Sequence, residues 1–109
     1  MIRITSVVAT AFVLFSASTT FAQSADKGRQ VYADQKCNVC HSIGSTGNKK
    51  GPLDKVGAKL SANDIHEWIV NAPAMATKAK ADRKPAMKAY STLPKEDVDA
   101  LVAYMQSLK

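Results

Sequence analysis

Apolar residues recur at helical intervals in three stretches of this 109-residue chain, and the region after residue 25 shows no strand-like alternation. The last stretch is the clearest. Val98, Leu101, Val102, Met105 and Leu108 fall on one helix face, with Tyr104 beside it. Pro94 suits a first turn, and Glu96, Asp97 and Asp99 put negative charge where the helix dipole favours it. In the middle of the chain Ile65, Trp68, Ile69 and Ala72 form the i, i+3, i+4, i+7 stripe of a helix over residues 62–71. Ser61 can cap it, with Asp64 as a weak capping-box partner, and Pro73 ends it by disfavouring helical geometry at Ala72. Residues 25–35 read as a shorter helix whose bulky apolar residues are Val31 and Tyr32. Gly28 lies four residues before Tyr32 on the same face, where a missing side chain lets another helix cross closely. Between these helices, residues 42–57 are glycine-rich and polar, a loop. Residues 75–90 are rich in Lys and Ala and show no clean period. The pattern predicts an all-α fold.

The N-terminus reads as an address. Arg3 is followed by an apolar run over residues 7–15, a polar stretch over 16–20 and a small residue, Ala22. This is the layout of a secretory signal peptide, residues 1–22, cleaved after Ala22 or, as a second candidate, after Ala25. The apolar run is shorter than the ~20 residues a spanning helix needs, so the expectation is export without stable membrane insertion. Residues 23–109 then form one domain, small enough to need a staple beyond its own core. Fifteen basic residues against nine acidic give a formal charge of +6, part of it Arg3 in the signal. That excess suits steering toward acidic surfaces, and no motif points to nucleic acid.

Chemistry enters at Cys37-Asn38-Val39-Cys40-His41, which holds the only two cysteines of the chain. Two thiols three positions apart can each add to one of the two vinyl groups of a haem, and the His that follows is then held against the iron. C-x-x-C-H is for that reason a haem-attachment signature. A dithiol redox site would want a βαβ setting, which the pattern does not offer. A structural zinc needs four ligands. Cys37, Cys40, His41 and His66 make four, yet no second His lies near His66. A disulfide would leave His41 unexplained. For the second axial position the candidates are Met75, Met87 and His66, while Met105 belongs to the apolar face of the last helix.

These residues resemble the class I cytochromes c, small monohaem electron carriers, over nearly all of residues 26–108. Gly28 and Tyr32 look like the family's opening helix, implying contact with Leu101 and Tyr104 of its closing one. Gly51-Pro52 resembles the Gly-Pro whose proline carbonyl accepts a hydrogen bond from the proximal imidazole. Residues 67–73 look like the helix before the methionine loop, which would set Trp68 against the haem. In many members the axial Met lies six residues before the Leu that opens the last helix, and Met87 precedes Leu93 by six. One departure is that Lys88, not Pro, follows Met87, with Pro85 on the other side.

The resemblance implies a cytochrome c fold of three to five helices around one haem c, attached through Cys37 and Cys40. Iron would be ligated by His41 and Met87, with Pro52 and Trp68 in the haem's surroundings. It further implies a monomeric, non-enzymatic periplasmic carrier of single electrons between redox proteins with acidic docking surfaces. The alternative is a haem protein that binds or senses small ligands at a displaceable sixth position. Lys78, Lys80, Arg83, Lys84 and Lys88 cluster around the methionine loop and could ring the haem edge.

Overall fold

The computed structural model describes the backbone of residues 11–12 and 18–109. Apart from residues 11 and 12, the apolar run expected to act as an export signal lies outside them. The described residues form five α-helices: α1 Ser18–Asp34, α2 Val56–Lys59, α3 Ala62–Val70, α4 Ala72–Ala79 and α5 Lys95–Gln106. A 3-10 turn covers Cys37–Val39, and two strands of two residues each, β1 Ser42–Ile43 and β2 Thr46–Gly47, pair antiparallel. None of these helices is long and apolar enough to cross a membrane.

The most extensive helix contact joins α1 to α5. It depends on Gly28. A Cβ there would run into the Ala100 carbonyl oxygen and lie 2.6 Å from the Tyr104 Cβ, so only glycine lets the two backbones approach this closely. One turn further along α1, Tyr32 meets Tyr104 edge to face, with ring centroids 5.8 Å apart and planes at 80°. The Arg29 guanidinium covers the outer side of Tyr104. Lys27 pairs with Glu96 at 3.6 Å and Asp97 at 3.3 Å, but these groups are exposed enough to contribute little. Val31, Tyr32, Ile65, Ile69, Val98, Leu101, Tyr104 and Met105 make up the buried cluster. Tyr104 therefore belongs to the core and not beside it.

Gly28→Ala should destabilise the protein by about 3 kcal/mol, because the clash is with backbone that cannot rotate away. The expected readout is a lower denaturant midpoint with an unchanged slope. A variant as stable as its parent would show that the two helices do not touch.

Several elements depart from the sequence expectation. α1 starts at Ser18, not at residue 25, so both candidate cleavage positions lie within it. The expected loop over 42–57 contains the β1–β2 hairpin and runs into the single turn α2. Gly44 and Gly47, both at positive φ, allow the tight reversal of that hairpin. α2 is docked by the Gly57 N–H donating to the Leu108 carbonyl at 2.7 Å. α3 agrees closely, with Asp64 N–H donating to the Ser61 hydroxyl at 3.1 Å. α3 stops at Val70, and Pro73 then lies in the first turn of α4, where its missing N–H costs nothing. The segment expected to be irregular from residue 75 is thus helical to Ala79, and Met75 is a helix residue.

Candidate haem-attachment site

α1 ends in a tight change of direction. Gln35 still donates to the Val31 carbonyl at 2.9 Å, and Lys36 then takes a left-handed conformation with φ 56°. That reversal launches the 3-10 turn. Side chains three residues apart nearly eclipse in such a turn, so the thiols of Cys37 and Cys40 emerge on the same side. Both are free and half-buried. The His41 N–H closes the turn by donating to the Cys37 carbonyl at 2.9 Å. Asn48 holds it from outside: its N–H reaches the carbonyls of His41 and Asn38, and its side-chain amide reaches that of Val39 at 3.1 Å.

His41 is half-buried, and its Nδ1 lies 3.0 Å from the Gly51 carbonyl oxygen. A carbonyl can only accept, so Nδ1 carries the proton and Nε2 keeps the lone pair. Burial lowers the His41 pKa; the Gly51 bond opposes this, and the cation of Arg83 adds to it. The imidazole is therefore neutral at pH 7, as an iron ligand must be. Its second ring nitrogen is fixed by a backbone acceptor, which orients the ring and strengthens it as a donor.

The acceptor is Gly51, not Pro52. Ser42 bridges in parallel to Pro52, with Ser42 N–H donating to the Gly51 carbonyl and Leu53 N–H to the Ser42 carbonyl. Successive carbonyls along an extended strand alternate in direction. The Gly51 carbonyl therefore faces residues 41–42, and the carbonyl of Pro52, an exposed residue, faces away. Pro52 shapes the segment that presents its neighbour.

The Cys37 pKa is raised, chiefly by burial, with Cys40 adding to it; a backbone hydrogen bond and Lys88 pull the other way. A redox-active cysteine needs a lowered thiol pKa, and Cys37 moves the other way. Among the described residues no three His, Cys, Asp or Glu side chains converge as a metal cluster, which disposes of the four-ligand zinc arrangement with His66. His66 sits on α3 with its Nδ1 3.4 Å from Glu67, both side chains substantially exposed.

The segment after α4 is tied alongside the attachment turn. Arg83 reaches Gly51, and Tyr90 donates its N–H to the Ile69 carbonyl at 2.8 Å. Tyr90 is near enough to both cysteines that they, after burial, raise its pKa. Lys88 lies over the Tyr90 ring, 5.0 Å from its centroid. Met87 is half-buried between these anchors. Met75 lines a cleft of about 270 Å³ with Leu60, Asp64, Trp68, Lys78 and Ala79. Trp68 is half-buried in that cleft, on α3.

Residues 25–109 match the family described as Cytochrome c. The chain belongs to the cytochrome c family. It is also 32% identical over 94 residues to a protein named cytochrome c oxidase subunit 2 from Alkalihalophilus pseudofirmus. That match covers 78% of this chain but only 26% of the relative's length. No solved structure gives a significant match.

Members of the cytochrome c family carry covalently bound haem, and their common activity is haem-based electron transfer. The donor set here fits that group: two free thiols on one side of one turn, followed by a neutral imidazole with its second nitrogen already engaged. Half-buried Ile43, Leu53, Val56, Leu60, Tyr90 and Leu93 pack against the core with apolar surface left for a flat macrocycle to cover. Gly51, Asn48 and Arg83 carry geometry that sequence reasoning did not assign to them. For Gly51 a signal was present, since it directly precedes the proline whose carbonyl the resemblance implied as acceptor. Asn48 and Arg83 offered none.

Proposed function

We propose that this chain is a periplasmic electron carrier, with one haem c joined to Cys37 and Cys40 and ligated by His41 and Met87. The haem supplies a one-electron ferric–ferrous couple. The observation that carries the reading is the attachment turn itself, with a neutral His41 fixed by the Gly51 carbonyl. The turn presents both thiols together, and the Gly51 bond holds the imidazole in the tautomer that leaves Nε2 free. Placement of Met87 on the segment whose Tyr90 lies beside the cysteines supports it over Met75, which is held on α4, and over His66, which pairs with Glu67. Filling both axial positions leaves no open site for a substrate, which favours the carrier over a ligand-binding or catalytic role.

Lys78, Lys80, Lys84 and Lys88 are exposed around this segment. They suit a short-lived complex with an acidic redox partner, in which charge speeds encounter more than it tightens binding. The likeness to an oxidase subunit makes a terminal oxidase the first acceptor to try. Absorption spectra in both redox states with a potentiometric titration test the haem and its ligation. Reduction of the acceptor should slow on the order of tenfold between about 0.01 and 0.15 M ionic strength. A rate that stays flat as salt rises removes the steering role.

A further inference from the structure

Arg83 behaves differently from the lysines around it. Those are exposed, whereas Arg83 is half-buried and turned toward the attachment loop. A Cβ added at Gly51 would collide with an Arg83 guanidinium nitrogen and with the Cys40 carbonyl oxygen, and would lie 3.0 Å from His41 Nδ1. Gly51 therefore leaves the room in which the guanidinium sits. That places the cation on the Nδ1 side of the imidazole, beside the carbonyl that receives its proton. Among the described residues no carboxylate forms an ion pair with Arg83.

We propose that Arg83 is a positioning residue for the redox centre, whose fixed charge behind His41 favours the reduced state and so raises the reduction potential. This rests on the haem reading given above. Oxidation adds one positive charge at the iron, and a neighbouring cation opposes it. Partial burial keeps that opposition from being screened as it would be in water. A guanidinium does not lose its proton in proteins, so the effect persists across the working pH range with one electron and no proton exchanged. Gly51 has two parts in the arrangement: its carbonyl orients the ring, and its missing side chain admits the charge.

The test is a midpoint-potential titration of the haem-loaded protein and a charge series at residue 83. Arg83→Lys should stay close to the parent. Arg83→Gln should lower the equilibrium constant for reduction about fivefold, and Arg83→Glu should lower it further. Arg83→Met supplies a second neutral variant should Arg83→Gln accumulate poorly. Lys84→Gln, which removes an exposed charge nearby, should shift the potential less than Arg83→Gln. An unchanged potential in both neutral variants overturns the proposal. So does a drop in Arg83→Lys as large as in Arg83→Gln, or an equal shift from Lys84→Gln. Failure of the haem reading would look different, since the parent protein would then lack a covalent haem or its six-coordinate spectrum.

Discussion

Replacing Cys37 and Cys40 together by alanine will leave a chain with less than half of its normal helix content. The buried cluster of eight side chains among the described residues is small for a domain of this length, and small domains bury too little surface to be secure. Apolar side chains from Ile43 to Leu93 flank that cluster only half-covered, so α2, α3 and the segment before α5 gain much of their burial from a macrocycle between them. Without the thioether bonds that surface is held only by ligation, and its effective concentration at the site falls steeply. Circular dichroism of the double variant, produced in a host competent for haem attachment, reads the outcome. Native-like helix content would show that α1 and α5 hold the fold unaided. Each single variant should fall between, with one thioether and reduced thermal stability.

Met87→Ala should convert a closed iron site into an open one. The weak long-wavelength band of a thioether bound to ferric iron should vanish, and carbon monoxide should bind the reduced protein readily. Thioether sulfur favours ferrous iron, so its loss should lower the reduction equilibrium constant about a hundredfold, or about 120 mV for one electron. Met75→Ala should leave the band in place, because Met87, on the segment whose Tyr90 lies beside the cysteines, still fills the sixth position. If the band survives Met87→Ala and disappears in Met75→Ala, the ligand has been misassigned and the α4 cleft is the true iron face.

How much of this was legible depended on the range of the interactions involved. The attachment motif is five contiguous residues, so its chemistry could be read without a fold. α5 and α3 were legible because a wide apolar stripe coincides with a start signal in each, Pro94 and an acidic first turn in α5 and the Ser61 cap in α3. α4 was hidden. Ala72, Ala74, Ala76 and Ala79 stabilise a helix by propensity and leave no amphipathic stripe to detect. The strands β1 and β2 are two residues long, too short for alternation to register. Tyr104 was placed beside its helix face because the width of that face is set by what α1 presents. The Gly51 acceptor and the inward turn of Arg83 depend on strand register and on a loop passing the attachment turn, which no local pattern encodes.

The two halves of the architecture differ in how much chain each requires, and this orders the protein's biogenesis. The turn around Cys37 closes through partners no further along the chain than Gly51, so it can form while most of the polypeptide is still unstructured. The crossing at Gly28 needs partners some seventy residues downstream and must await the final helix. Cofactor joining is thereby free to come first, on an open and reachable strand, with the terminal helices shutting over the product afterwards.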